Sequence, residues 1–550
     1  MPHDYEINPP IGIDLGTSNS VISHYANTSR ARGAFVYQLN TYGGVRDKTL
    51  MPSCVFLQKD EEDEELLVGV GAENKWKVDP LSYAKAIKRY IGETEKTITL
   101  GQNSYSPTDL SRELLKALMT DPVKQTPNWC PPGIVITVPY YFKQHQINNT
   151  LLALEEAVAE CFHSFEVADR PKVLSPMPEP VACAIAYLDR VTNKGTINDR
   201  VVLVFDLGGG TLDVTTFKLT IGGEKLQFEI LATAGDAAFG GEDFDQIIVD
   251  YMLEQEEVDL NTSSERRARF LEYDLLSTAR EAKEKLSFGM EVELIVNNLP
   301  DGGNIDTTLA RSEFESLLSG RNKASRNFGR ELNDILDKAM ASAKLNPAEI
   351  DLVLCIGGSS QIPYFTKILQ GKFSKAQFET DQESIKYAVA KGAALYAGHL
   401  LDTLYGHHHK SLAKGIAYET AEIKFRTAHR LGIEKQQGRV STLIPANSAV
   451  PARKQKSFVP TAYLDPEKTM IKLDTIRVFQ GSSEYQADNT QIGEINIPAV
   501  YSHGRSLREI KIKVDFEALE TALVARVNIP EATKSKNDID LELKIEMTHD

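Results

Sequence analysis

Residues 201–217 read VVLVFDLGGGTLDVTTF. An unbroken apolar run leads into Asp206, then Leu207, three glycines (Gly208, Gly209, Gly210) and Thr211, and a second β-rich stretch follows. Such a run predicts a strand buried on both faces, ending in a tight turn. Glycines let the backbone approach a bound group closely and aim N–H groups at it. A carboxylate, bare backbone and a hydroxyl within six positions suit a phosphate that arrives with a cation.

The same grammar occurs once earlier, in IGIDLGTSNSVIS (11–23), where Asp14 ends the apolar run and Thr17 follows the glycine. Two Asp-Leu-Gly turns at strand ends predict two similar lobes, each opening with a hairpin. In α/β folds, ligands bind at the carboxyl edge of the strands. Two facing hairpins would clamp a polyphosphate from both sides. Their carboxylates would repel bare phosphate, so a cation is implied. Mg²⁺ fits because it keeps several waters while bridging carboxylates and phosphate oxygens. Asp14 and Asp206 are therefore the expected metal-holding residues, with Gly208, Gly209, Gly210 and Thr211 cradling phosphate. There is no GxxxxGK[ST] and no strand-to-helix GxGxxG, so neither of those phosphate devices is in use.

Around these turns the chain alternates helical and strand patterns. Apolar spacing predicts helices at 110–119, 149–162, 265–288 and 388–401, and buried strands at 131–139 and 350–356. After about residue 401 the texture changes. IRVFQGSSEY, IKIKVDF, ALVARVNI and IDLELKIEM alternate as half-buried antiparallel strands do. The expected fold class is α/β: a nucleotide-binding domain of two duplicated lobes over 8–402, a junction over 403–425, and a smaller antiparallel β-sandwich over 426–550. His407, His408 and His409 fall in the junction, where an exposed polar loop is favoured over a metal site.

The chain has 550 residues, with 42% hydrophobic and 25% charged, room for more than one core. A net charge of −16 argues against nucleic-acid or anionic-membrane partners. The 5 cysteines are odd in number and have no CxxC spacing, which argues against a disulfide framework or zinc site. No signal peptide or apolar span of membrane length is read, so the expected location is cytoplasmic.

These motifs together resemble the 70-kDa heat-shock protein chaperone family, within the actin and sugar-kinase ATPase superfamily. IGIDLGTSNS and VVLVFDLGGGTLDVT resemble its two phosphate signatures, and IGGSSQIP (356–363) its adenosine signature. PEPVACAIAY, TAGDAAFGGEDFD and ITVPYYF match further, while LGIE, IPANSAVP and IRVFQGSSEYQADNTQIGEINI resemble its β-sandwich peptide-binding domain. The resemblance covers most of residues 10–520. It implies hydrolysis of ATP to ADP and phosphate with Mg²⁺ (K⁺ being a second candidate ion), coupled to binding of unfolded or apolar peptides. J-domain and nucleotide-exchange co-chaperones are the implied partners. By position it implies catalytic roles for Asp14, Glu179, Asp206, Thr211 and Asp213. Gly16, Thr17, Ser18, Gly235, Lys283, Ser287, Gly357, Gly358 and Ser359 would line the nucleotide.

The catalytic lysine is open. Read from VGVGA (68–72), an ungapped match places Glu73 there, and a two-residue gap places Lys75 there. Gln361 stands where the family carries Arg, Arg280 where it carries Glu, and Ile147 where it carries a relay arginine. The acidic-leucine linker is replaced by EIKFRTAHRLGIE, and no helical lid is read. Two alternatives to an ATP-driven chaperone follow: a nucleotide-gated adaptor or pseudo-ATPase, and a small-molecule kinase of the same superfamily.

Overall fold

The computed structural model describes residues 8–404 and 422–546, except 28–31, 46, 60–63, 94–95, 127, 175, 193–198, 223–224, 257–263, 300–302, 321–325, 380–385, 425–426, 428, 447, 460–469, 472, 474, 482, 504, 506–508 and 519–521. The three histidines 407–409 and most of the junction 403–425 lie outside the described residues. The chain forms two compact units. The first comprises 1–140, 149–228 and 232–422, and the second 141–148, 229–231 and 423–550.

The first unit contains one plan twice. In the first lobe, β1 (Ile11–Asp14) turns into antiparallel β2 (Asn19–Asn27), which is followed by β3 (Arg32–Val36). On its other edge β1 pairs in parallel with β4 (Gly133–Val138), which pairs with β5 (Lys172–Val173). In the second lobe, β6 (Arg200–Leu207) turns into β7 (Leu212–Gly222), then β8 (Lys225–Asp236). β6 likewise pairs in parallel with β9 (Leu352–Ile356), and β9 with β10 (Gln377–Glu379). Ile11, Ile13 and every residue from Val202 to Phe205 are fully buried, as the unbroken apolar runs predict.

Helices cover these sheets. The 110–119 pattern lies within Pro107–Gln125, whose start is fixed by reciprocal Ser106–Asp109 capping. The 149–162 pattern lies in Gln144–Cys161. Four further helices are α1 (Glu179–Thr192), α2 (Gly241–Glu256), α3 (Glu265–Leu286) and α4 (Ala388–Leu404). In α3, Leu271, Leu275, Ala279, Ala282 and Leu286 face inward at helical spacing. Phe239, Phe244, Phe328 and Phe365 form the aromatic centre of the second lobe, with ring centroids 5.0–5.8 Å apart.

The small residues of α4 let it lie almost backbone to backbone on its neighbours. A Cβ on Gly392 would fall 1.8 Å from the Ala182 carbonyl oxygen of α1, and one on Gly12 of β1 would fall 2.2 Å from the Ala394 nitrogen.

The second unit carries two antiparallel four-stranded sheets. One is ordered 439–444, 430–435, 476–481, 490–495, and the other 452–458, 512–518, 522–529, 539–546. Leu431, Ile433 and Val478 of the first share one core with Val514, Phe516 and Leu523 of the second, which makes the unit a β-sandwich.

Gly392→Ala forces carbon into backbone and should destabilise the chain by about 2–4 kcal/mol. Gly358→Ala, with nothing within 4 Å of a Cβ there, should change stability little. Urea unfolding midpoints of both variants and the parent check this.

Candidate functional site

The two signature turns meet. A Cβ on Gly209 would fall 2.1 Å from the Ser18 Oγ and 3.3 Å from the Ser18 Cβ, so the second turn lies in close contact with the first. Gly16, Thr17 and Ser18 occupy the turn between β1 and β2, and Gly208 to Thr211 the turn between β6 and β7. The Gly208 N–H donates to the Thr211 carbonyl (3.0 Å). The Gly208 and Gly209 carbonyls accept from the N–H groups of Gly241 (3.0 Å) and Glu242 (2.7 Å) at the start of α2. The predicted phosphate residues of both lobes therefore share one cleft.

Four carboxylates converge beside these turns. Asp14 and Asp206 end equivalent strands, Asp213 sits directly across the hairpin from Asp206, and Glu179 opens α1. Glu179 and Asp213 are buried, whereas Asp14 and Asp206 keep part of their surface open. Burial, and then the charge of Glu179, push the Asp14 carboxyl from 3.8 up to about 7 against the pull of Lys88. Asp206 is held well above the aspartate range by burial, then by Glu179 and Asp14. Burial, then Glu179 and Asp206, do the same to Asp213.

The cation facing this cluster is Lys88, a residue outside the expected pair Lys75 and Glu73. The Lys88 Nζ lies 2.5 Å from the Glu179 Oε1, and its side chain is only 10% exposed. Burial opposes its charge, but Glu179, Asp14 and Asp206 outweigh burial and hold the ammonium above the usual lysine value. Lys75 instead lies in the turn after the short helix Val70–Glu73, its N–H donating to the Ala72 carbonyl at 3.0 Å. Lys88 arrives on a short 3₁₀ turn, Ile87–Tyr90, preceded by Ala86 in the left-handed region (φ 58°). That conformation costs a non-glycine residue about 1 kcal/mol and re-aims the chain after the strand Tyr83–Lys85. The signal available in the sequence was the basic pair Lys88-Arg89. Its partner Arg89 reaches the second lobe, donating to the Gly210 carbonyl (2.7 Å) and pairing with Glu242 (3.0 Å) and Asp243 (3.2 Å).

Of the remaining expected residues, Gly235 and Gly357 lie against the carboxylates, and Ser359 and Lys283 lie close to Gly241. Gly235 lies against Asp213: a Cβ there would fall 3.3 Å from the Asp213 Oδ1. Gly357 has φ 78° and passes close to Asp206, and buried Ser359 follows it in the Gly358–Gln361 turn. Lys283 is buried, its Nζ 2.7 Å from both the Gly241 carbonyl and the Asp245 Oδ1. Ser287 caps α3, its hydroxyl donating to the Lys283 carbonyl at 3.2 Å.

A cavity beside the turns is lined by Thr17, Ser18, Gly209, Lys85, Arg280 and Lys283, with Glu73 among its acids. Glu73 and Arg280 line this one cavity. Burial opposes the Arg280 charge, while Glu284, then Asp245 and Glu73, hold the guanidinium above its ordinary value. The lips of the cleft also touch here: the Tyr273 hydroxyl of α3 donates to the Tyr83 carbonyl (3.2 Å), Trp76 and Tyr273 rings lie 5.8 Å apart, and Arg266 donates to the Val78 carbonyl (2.7 Å).

A two-lobed actin-like ATPase fold with an acidic, glycine-lined cleft, followed by a β-sandwich, is the class these features define. A sequence model of the Hsp70 protein family matches residues 10–549, and the chain belongs to that family. Similar proteins include the chaperone protein DnaK of Mycoplasmopsis agalactiae, 29% identical over 523 residues, covering 93% of this chain and 76% of that one. DnaK of Thermosipho melanesiensis is 31% identical over 520 residues (92% and 76%). DnaK of Cenarchaeum symbiosum is 29% identical over 562 residues (96% and 74%). This homology supports an ATP-dependent chaperone. No helix among the described residues is long and apolar enough to cross a membrane.

The Asp14 carboxyl binds its proton more tightly in the folded chain, so its contribution to stability is largest at acid pH and is lost as pH rises toward about 7. In EDTA and without nucleotide, the parent's urea midpoint should fall relative to that of Asp14→Asn between about pH 5 and pH 8. A difference that is flat, or that rises with pH, contradicts the assignment.

Proposed function

We propose that this chain is an ATP-hydrolysing chaperone whose cleft positions the phosphates of ATP between the two glycine turns, and whose β-sandwich takes unfolded or apolar peptide segments. The observation that carries the reading is the buried Lys88–Glu179 pair set among Asp14, Asp206 and Asp213 at the meeting point of those turns.

The donor set fits a hydrated Mg²⁺. Asp14 and Asp206 are hard oxygen ligands, and burial together with neighbouring acids makes their ionisation unfavourable without added positive charge. Bound there, Mg²⁺ supplies the positive charge that lets carboxylates and phosphate oxygens share the cleft; K⁺ is a second candidate ion. The protein's own groups divide the remaining work. Lys88, fixed by Glu179, places a full positive charge where the terminal phosphate gains negative charge. Thr211 offers a hydroxyl donor. The Asp213 Oδ2 is buried with no hydrogen-bond partner among the described residues, and its raised proton affinity suits it to accept a proton from a water beside it. Gly235 leaves room for that water. Lys283, Ser287, Gly357, Gly358 and Ser359 line the adenosine side.

Peptide would bind the sandwich through backbone pairing and side-chain pockets. J-domain and nucleotide-exchange co-chaperones are the partners we propose, and the cytoplasm the location. Gln361, in place of an arginine over adenine, favours one second reading: a nucleotide-gated adaptor that binds ATP without turning it over.

Single-turnover ATP hydrolysis with Mg²⁺ tests the proposal. The parent should release phosphate. Lys88→Ala should slow release by about 10²–10³-fold while still binding ATP, and Lys75→Ala should match the parent within about threefold, as a residue outside the charge cluster. A parent that binds ATP and releases no phosphate would favour the adaptor.

A further inference from the structure

Among the described residues, four cations of the cleft are paired and Lys85 is not. Lys88 is held by Glu179, Arg89 by Glu242 and Asp243, and Lys283 by Asp245 and the Gly241 carbonyl. Arg280 pairs with Glu284 at 3.3 Å. Lys85 lines the same cavity as Thr17, Ser18 and Gly209, yet among the described residues its ammonium forms no ion pair and no side-chain hydrogen bond. Its backbone is fixed: it closes the strand Tyr83–Lys85, in register with Cys54. The side chain is therefore delivered to the cavity by regular structure.

A mostly buried ammonium without a partner is costly, and an anion that enters the cavity offsets that cost. The surroundings agree. Burial holds the Lys85 ammonium below its ordinary value; Glu242 and Asp245 oppose this, while Arg280 and Lys283 reinforce it. Glu242 is already engaged by Arg89 and Asp245 by Lys283, so neither carboxylate is available to Lys85 alone. The cavity is also lined by Thr17 and Ser18 of the first glycine turn and by Gly209 of the second, so an anion seated on them lies within the compartment that Lys85 faces.

We propose that Lys85 is a phosphate-binding residue of this cleft, its ammonium receiving the negative charge of a nucleoside polyphosphate seated at Thr17, Ser18 and Gly209. The inference rests on the reading of the cleft as a nucleotide site and adds to it a second cationic contact beside Lys88. Lys88 is committed to the carboxylate cluster; Lys85 is uncommitted until ligand arrives. The two lysines therefore act differently: Lys88 on turnover, Lys85 on affinity.

Two signs separate this role from a structural one. Lys85→Met keeps the length and removes the charge. Without ligand its thermal midpoint should equal or exceed the parent's, because an unpaired buried charge has been removed. Its affinity for ADP, by titration calorimetry, should fall about 10–100-fold, as for loss of a charge-assisted contact. Affinity for adenosine, which carries no phosphate, should stay within about twofold. Lys85→Arg should retain most ADP affinity, and Lys85→Gln serves as the neutral variant if the methionine variant does not fold. A parent that binds ADP with Lys85→Met binding it equally well overturns the inference alone. A parent that binds neither ADP nor ATP overturns the reading of the cleft as well.

Discussion

The ion pair between Lys88 and Glu179 is the constraint on which the cleft depends. Asp14, Asp206, Asp213 and Glu179 are brought into one buried region by two duplicated hairpins and a helix start. In that region the ionised forms repel one another and lack water. A single ammonium reduces the repulsion without cancelling it, as the raised aspartates show. The folded chain thus stores an incomplete charge balance. In the proposed function, a metal ion and a polyphosphate together would complete it, which would tie ligand binding to the ionisation of these carboxylates.

The same logic runs outward from the cluster. Arg89, adjacent to Lys88, ties the second glycine turn and the first turn of α2 to the first lobe. Tyr83, Trp76 and Val78 meet α3 at the lips. The segment from Glu73 to Arg89 therefore carries the cation that faces the carboxylates, the lobe-bridging cation and the lip contacts in one short piece of chain.

The fold and the phosphate turns were legible because they rest on local signals. Unbroken apolar runs fix buried strands, and glycines two residues after Asp14 and Asp206 mark tight turns, the first of which brings Gly16 too close to the Asn19 carbonyl for a side chain. The sandwich strands were legible from alternation, as in Ile512–Ala518, where Val514 and Phe516 point into the core. The place of Lys88 beside Glu179 was not read from the sequence, for a physical reason. Lys88 sits on a short turn redirected by a left-handed Ala86, a conformation with no periodicity to read. That Glu73 and Arg280 line one cavity is a long-range fact that no local pattern encodes.

The most direct test is the proton balance of ligand binding. Titration of Mg²⁺-ADP into the parent near pH 7, repeated in buffers of different ionisation enthalpy, counts protons released as the cleft fills. The charge-balance account predicts net release, because Asp14 and its neighbours must ionise to hold the metal, and predicts that Asp14→Asn lowers it. Binding with no proton release, or with net uptake, would contradict the claim that the carboxylate cluster is the metal-holding centre of this protein.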